Sequence, residues 1–299
     1  MNNMFTGVFT ALITPFTSTG AVDIRALQRL VEYQITAGVD GLVPCGTTGE
    51  SSTLSHEEHD RVIELTVKFA RGRVPVIAGT GSNATNEAIQ LSQHAEQAGV
   101  DAVLQVNPYY VKPTQKGLYL HFKAVAESIS LPCILYNIES RTGVNLENRT
   151  LLRLMSELEN IVGVKEASGS LEQMKNLISL RNNDFTVLCG DDNMTVDLIE
   201  AGGNGVVSVA ANLIPHKMRE MVHSALEGNF KKARELEKIL NPFFQACFVE
   251  TNPIPIKTAM AMKGWCKESF RLPLCTLEKE EHYDDIRKSM AGLDIAEAI

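Results

Sequence analysis

Nowhere in the 299 residues is there an apolar run long enough to cross a bilayer, which takes about 20 residues, so no membrane span is expected. A basic surplus is missing too: 28 Lys and Arg stand against 36 Asp and Glu, a formal charge of −8. Without excess cations to neutralise phosphates, nucleic acid is not an expected partner. The charges are interspersed, which argues against a polybasic membrane patch or a disordered charged tail. The start, Met1-Asn2-Asn3-Met4-Phe5-Thr6, has neither the basic residues nor the apolar core of a secretory signal, so the expected location is cytoplasmic. Cysteine is sparse. Cys45, Cys133, Cys189, Cys247, Cys266 and Cys275 include no C-x-x-C pair, and their spacing suggests neither a zinc site nor a disulfide framework. Cys45, Cys133 and Cys189 lie in apolar runs, where a reduced thiol is a small core residue. Nothing near Cys45 in sequence would activate it. No Pro/Gly/Ser-rich linker divides the chain, and no repeat appears beyond the rhythm described next.

That rhythm alternates short apolar runs with longer amphipathic stretches. The runs cover residues 8–13, 41–44, 74–78, 102–106, 133–136, 161–164, 185–188 and 205–209. They are rich in Val, Ile and Leu with little alternation, as in parallel strands buried on both faces. Between them lie helical patterns. In residues 23–33, Ile24, Leu27, Leu30 and Val31 keep helical spacing behind a capping Asp23. Ser55 and Glu58 stand as a capping box before Val62, Ile63, Leu65 and Val67. Eight strands, each followed by a helix, predict a (β/α)8 TIM barrel. An open doubly wound sheet shares the rhythm and is the alternative; the count of eight favours the barrel. Residues 214–226, 230–248, 254–265 and 277–290 read as helices, the later ones forming a C-terminal helical extension. We therefore divide the chain into a catalytic barrel, 1–226, and a packed extension, 227–299.

The residue that carries most chemistry is Lys165, at the end of the sixth run in Ile161-Val162-Gly163-Val164-Lys165-Glu166-Ala167-Ser168. Lysine is rarely buried without a partner or a purpose. Apolar surroundings push an amine toward its neutral form, and a neutral amine attacks ketones to form Schiff bases. Alone, Lys165 could equally end its strand with the stem on the core and the ammonium in water. Its neighbours at the other strand ends decide between these readings, because active sites in such barrels form there. The second strand is followed by Gly46-Thr47-Thr48-Gly49-Glu50, whose hydroxyls and free amides suit a carboxylate. The fifth ends in Tyr136-Asn137, then Ser140-Arg141-Thr142-Gly143. A tyrosine there can pass protons, and an arginine can clamp a carboxylate. The seventh ends in Gly190-Asp191-Asp192 and the eighth in Ser208. A keto acid would find both a carboxylate site and an amine nucleophile.

Two other patterns compete. Gly79-Thr80-Gly81-Ser82-Asn83-Ala84 loosely matches a dinucleotide fingerprint, but Asp101 begins the next strand rather than ending it. His56 and His59 share a helix face at a possible metal spacing, with no H-E-x-x-H or carboxylate partner pattern, so a surface role is expected for both and no metal.

Taken together, Gly46-Thr47-Thr48-Gly49-Glu50, Asn107-Pro108-Tyr109-Tyr110, Tyr136-Asn137 with Ser140-Arg141-Thr142-Gly143, Val164-Lys165-Glu166-Ala167, Gly190-Asp191-Asp192 and Asn252-Pro253-Ile254-Pro255-Ile256-Lys257 resemble the dihydrodipicolinate synthase family, collinearly over essentially the whole chain. The lysine and tyrosine motifs are shared by the wider pyruvate-dependent aldolase family. Thr-Thr between glycines and Ser-Arg-Thr-Gly point to the synthase, whereas N-acetylneuraminate lyase, the alternative, usually carries Ser-Thr and lacks that arginine. A non-catalytic relative would be expected to lack the lysine or the tyrosines.

The resemblance implies a lyase that condenses pyruvate with L-aspartate 4-semialdehyde to 4-hydroxy-tetrahydrodipicolinate, in lysine and diaminopimelate biosynthesis, with no cofactor. It implies that Lys165 forms the Schiff base and that Tyr136, Thr47 and Tyr110 relay protons. Tyr110 would enter from the neighbouring subunit of a tight dimer within a homotetramer. Thr48, Gly190 and Val207 would contact pyruvate, and Arg141 the semialdehyde carboxylate. An L-lysine effector would meet Ser51, Ser52, His56, His59, Asn83, Glu87 and Tyr109. Glu139 departs from the family, which commonly has proline beside the substrate arginine; a freer backbone or an added charge is expected there.

Overall fold

Eight parallel strands follow the chain: β1 (Gly7–Ala11), β2 (Gly41–Val43), β3 (Ile77–Gly79), β4 (Ala102–Val106), β5 (Cys133–Asn137), β6 (Ile161–Glu166), β7 (Thr186–Cys189) and β8 (Gly205–Ser208). The computed structural model describes residues 5–297. β1 pairs with β2 on one side and β8 on the other, and pairing continues from β8 through β7, β6, β5 and β4 to β3. The two remaining edges meet through a parallel bridge between Leu42 and Val76. Leu42 N donates to Pro75 O and Gly79 N to Pro44 O, each at 3.0 Å. The sheet thus closes on itself, which selects the barrel over the open doubly wound sheet. β3 begins later than residue 74 because Pro75 has no N–H to give to a ladder.

The surrounding helices are α1 (Ile24–Thr36), α2 (His56–Ala70), α3 (Thr85–Ala98), α4 (Gln115–Glu127), the single-turn α5 (Glu139–Thr142), α6 (Asn148–Glu157), α7 (Leu171–Leu180), α8 (Thr195–Glu200) and α9 (Pro215–Leu226). The extension adds α10 (Phe230–Ala246), α11 (Ile254–Met262) and α12 (Glu280–Met290). The expected caps are present. Asp23 accepts from Ala26 N at 3.0 Å, and Ser55 with Glu58 forms the reciprocal capping box of α2. Leu27, Leu30 and Val31 are buried as the spacing predicts, while Ile24 lies exposed. The helix expected over 254–265 stops at Met262, and Gly264 follows in the left-handed region (φ +76°). Its chain then turns so that Trp265 stacks on Tyr33, ring centres 4.1 Å apart. Among the described residues no helix is long and apolar enough to cross a membrane.

Two apolar clusters hold the molecule together. The inner one fills the barrel with Phe9, Val43, Ile77, Leu104, Ile134, Tyr136, Leu188 and Val207. The outer one lies between strands and helices and runs into the extension through Leu240, Phe243, Phe244, Ile256, Met260 and Ile286. Apolar residues of α10, α11 and α12 thus share the outer core of the barrel.

One irregularity sets the phase of the site. Cys133 pairs with Ile161, but Ile134 pairs with Gly163, so β6 carries one extra residue against β5. A one-residue shift moves every following side chain to the opposite face. After it, Tyr136 pairs with Lys165 and Asn137 with Glu166. Gly163 permits the close approach, since a Cβ there would meet the Thr186 carbonyl oxygen at 2.9 Å.

Candidate active site

Lys165 lies within β6 rather than beyond it, and 6% of it is exposed. Its stem does not carry the ammonium out to water, so the snorkelling alternative fails. Nζ sits 4.2 Å from the centre of the Tyr136 ring, a contact that holds the amine against the phenol's face. Gly190, just past β7, presses close: a Cβ there would stand 2.5 Å from Ala167 Cβ and 3.1 Å from Lys165 Cε. The adjoining Asp191 is held above the usual carboxylate range by burial, an effect opposed by the charge of Lys165. Val207 is buried on β8 in the inner cluster that contains Tyr136. The structure thus gathers Lys165, Tyr136, Gly190 and Val207 at the carboxyl ends of four consecutive strands.

Of these, Tyr136 also lines a cavity of about 430 Å³, together with Thr47, Ile138, Arg141 and Asn252, whereas Lys165, Gly190, Val207 and Thr48 are not among its lining residues. The turn after β2 is closed by Gly49 N to Gly46 O and Glu50 N to Thr47 O, both 3.1 Å. Among the described residues the amides of Thr47 and Thr48 donate to no protein acceptor, which leaves two oriented donors for an anion. Arg141 lies on α5, exposed except for one bond from Nη2 to Asn252 O at 3.2 Å. Glu139 opens that short helix. Its carbonyl accepts from Gly143 N at 2.8 Å, so the backbone is helical without a proline. The first helical position suits proline and acidic residues alike, and the side chain of Glu139 is exposed.

Asn252 was not legible as a site residue, although its Asn-Pro motif was visible. Its Nδ2 donates to Thr48 Oγ1 at 2.9 Å while its carbonyl accepts from Arg141. One residue of the extension thereby ties the two halves of the cavity rim together. The same turn is anchored by Glu50, which forms a wholly buried ion pair with Lys257 of α11. Lys257 also donates to Ser269 O at 2.8 Å, with Nζ 4.3 Å from the Phe16 ring centre. Burial pulls the Lys257 amine below its usual range, and Glu50 opposes that pull.

The residues expected around an effector divide. Ser51, Ser52, His56, His59, Glu87 and Tyr109 line the same cavity as Tyr136. Asn83 lies beside Ser82, outside that lining. His56 Nε2 meets Glu87 Oε1 at 2.8 Å. Ser82 also donates to Glu87, and this bond, then His56, holds the carboxyl below its usual range. The surface role expected for both histidines fails for His59. It is 5% exposed and bonded to Gly79 O at 2.8 Å, because its face of α2 packs toward the barrel. Burial lowers its pKa. No cluster of His, Cys, Asp or Glu suited to a metal occurs among the described residues.

Packing accounts for the dinucleotide-like glycines. A Cβ on Gly79 would sit 2.4 Å from Cys45 O, and one on Gly81 2.4 Å from Val106 N. Both positions need glycine for close backbone approach within the protein itself. Burial pushes the Cys45 thiol up, as expected for an inert core residue. Tyr110 is not brought to the cavity within one chain. It is 87% exposed at φ +71°, on a loop that also exposes Val111.

A closed (β/α)8 barrel with a buried lysine against a tyrosine at its strand ends defines an enzyme scaffold suited to carbonyl substrates. The model of the dihydrodipicolinate synthetase family matches residues 4–291. The 4-hydroxy-tetrahydrodipicolinate synthase of Syntrophus aciditrophicus is 55% identical over 271 residues, 91% of this chain and 92% of that protein. The crystal structure of dihydrodipicolinate synthase from Aquifex aeolicus superposes with TM-score 0.96 at 46% identity, covering 99% of this chain and 100% of the other. The chloride-inhibited Acinetobacter baumannii synthase complexed with pyruvate gives 0.93 at 43%, covering 95% and 97%. The Cyanidioschyzon merolae enzyme with lysine bound gives 0.94 at 39%, covering 97% and 98%. This chain belongs to the dihydrodipicolinate synthetase family.

Proposed function

We propose that this chain condenses pyruvate with L-aspartate 4-semialdehyde to 4-hydroxy-tetrahydrodipicolinate through a Schiff base on Lys165, as a lyase of lysine and diaminopimelate biosynthesis. The observation that carries the reading is the Lys165 amine, buried in β6 and 4.2 Å from the centre of the Tyr136 ring, a ring that lines the same cavity as Thr47 and Arg141. The family and the naming of the relatives agree with it. The N-acetylneuraminate lyase alternative is disfavoured by Arg141, which lines the cavity.

The chemistry follows from the parts. The neutral amine adds to the pyruvate C2 carbonyl, and water leaves to give an iminium. That cation makes the methyl group acidic, and proton loss yields an enamine. The enamine carbon attacks the aldehyde carbon of the second substrate. The semialdehyde's own amine then displaces Lys165 from the imine carbon, which closes the ring and frees the enzyme. The iminium itself is the electron sink, so no further cofactor is required. Each step moves a proton. A phenol with an ordinary pKa of about 10 needs a relay to do this near neutral pH. We assign the relay to Tyr136, Thr47 and Tyr110, with the Thr47 and Thr48 amides and Gly190 and Val207 around pyruvate. Borohydride trapping with pyruvate, followed by peptide mass spectrometry, tests the reading. A label elsewhere than Lys165, or none, overturns it.

Arg141 is assigned to the semialdehyde carboxylate. Arg141→Ala is expected to lower kcat/KM for the semialdehyde by about 10–150-fold, the loss of one charged hydrogen-bonded contact of roughly 1.5–3 kcal/mol. Pyruvate trapping on Lys165 should continue unchanged. A coupled assay beside the trapping experiment separates the two effects.

The exposed Tyr110 and Val111 support a relay completed across a subunit interface, in a dimer of dimers. Sedimentation velocity checks the assembly, and a monomer with full activity would refute it. The enzyme's expected place is the cytoplasm, to be checked by fractionation. Ser51, Ser52, His56, His59, Asn83, Glu87 and Tyr109 are assigned to an L-lysine effector, whose ammonium suits the Glu87 carboxylate. Titration calorimetry with L-lysine should show binding that Glu87→Gln weakens about tenfold or more. No heat at millimolar lysine would remove the assignment.

A further inference from the structure

We propose that Glu166 is a positioning residue, whose carboxylate orients a buried chain of amide side chains that fixes the Tyr136–Lys165 pair and the segment after Arg141. The inference rests on the Schiff-base reading above.

Glu166 is 1% exposed and has no cation partner among the described residues. Its oxygens only accept: from Asn137 Nδ2 at 3.2 and 3.1 Å, from Gln173 Nε2 at 3.2 Å and from Ser168 N at 2.8 Å. Burial raises its pKa, a trend those bonds oppose. A buried carboxylate without a cation is costly to folding. A neutral amide of the same shape would avoid that cost but would set a donor against donors.

The all-acceptor group gives the chain a direction. Asn137 must turn its NH2 toward Glu166, and that NH2 also donates to Asn145 Oδ1 at 2.8 Å. Asn137 Oδ1 then accepts from Asn107 Nδ2 and Leu146 N, both at 2.9 Å. Asn145 Nδ2 in turn donates to Gln173 Oε1 at 2.9 Å. Asn107 also holds Val144 O at 3.2 Å. The network thus joins the ends of β4, β5 and β6 to α7 and to residues 144–146, three positions past Arg141. Asn137 and Glu166 are registered partners immediately after Tyr136 and Lys165. With strand alternation, a bond between the outward pair clamps the inward pair. The buried Glu50–Lys257 pair does comparable work for the other side of the rim, but by charge pairing rather than by oriented amides.

The test uses the full-length enzyme. Glu166→Gln is expected to lower kcat about 10–100-fold, the scale of a small misplacement of reacting groups, and to slow pyruvate trapping in parallel. Asn137→Asp combined with Glu166→Gln moves the carboxylate to the other partner and restores acceptor against donor. That double variant should recover activity to within about fivefold of wild type, a rescue that simple packing would not give. Asn145→Ala, half-buried and less exposed to folding failure, should raise KM for the semialdehyde about tenfold with trapping unchanged. Full activity in Glu166→Gln, a double variant no better than the single, or an unaltered KM in Asn145→Ala each overturns the proposal. A wild-type chain that traps no pyruvate on Lys165 overturns the functional reading and this inference together. A wild type that traps normally beside indifferent variants overturns the inference alone.

Discussion

Lys165→Ala is expected to abolish the borohydride-trapped pyruvate adduct and to lower kcat by on the order of 10⁴-fold or more, as loss of a covalent nucleophile does. The size of the effect follows from the site. Among the described residues Lys165 is the lysine that stands over the Tyr136 ring, and the other buried lysine, Lys257, is locked to Glu50 and Ser269 O with no exposed surface. Lys165→Arg should fail as fully, because a guanidinium stays protonated and cannot add to a ketone. Neither variant should change the fold greatly. The lysine sits beside the small residues Ala167 and Gly190, and an alanine keeps the strand backbone and its pairing with β5 and β7 unchanged. Circular dichroism and a thermal melt at wild-type values, with trapping lost, give the expected pattern. Retained turnover in Lys165→Ala would contradict the mechanism.

Lys257→Met is expected to be strongly destabilising. It leaves the Glu50 carboxyl buried without its cation, a loss of about 3–5 kcal/mol for a severed buried pair. Glu50→Gln combined with Lys257→Met removes both charges and should return most of that stability, since replacing a whole buried pair is often close to neutral. Urea denaturation at fixed protein concentration reads the difference. The single change should reach function too. Glu50, itself left-handed (φ +54°), closes the turn of Thr47 and Thr48 by donating its N–H to Thr47 O at 3.1 Å, and its other carboxylate oxygen accepts from Arg271 N at 3.4 Å. A loosened turn would weaken pyruvate binding before it affected the amine. Equal stability of the single and double variants would show that the pair contributes nothing beyond volume.

Much of the site was legible because its residues are short motifs at strand ends. Gly46-Thr47-Thr48-Gly49-Glu50, Tyr136-Asn137 and Val164-Lys165 each follow an apolar run, and the barrel places such positions on one rim. His59 was misread because spacing shows which helix face a residue occupies, not whether that face meets water or the barrel. Asn252 and Lys257 show no function in the sequence because their partners lie far off: Thr48 is 204 residues from Asn252, and Glu50 is 207 from Lys257. Glu166 reads as an ordinary charged residue until the network behind the strands is seen. Tyr110, whose proposed role lies across a subunit interface, is exposed on its own chain.

The eight β/α units, the caps of α1 and α2, the Val/Ile/Leu-rich strands and the residue types available for carbonyl chemistry can all be read from the linear chain. These are local properties, set by side-chain periodicity and by bonds between residues three or four apart. Tertiary structure alone decided that β2 meets β3, since only a closed ring satisfies both edge strands. It also decided that the extra residue in β6 turns Lys165 inward beside Tyr136. Strand phase is a relation between two chains of backbone, so no window of sequence contains it.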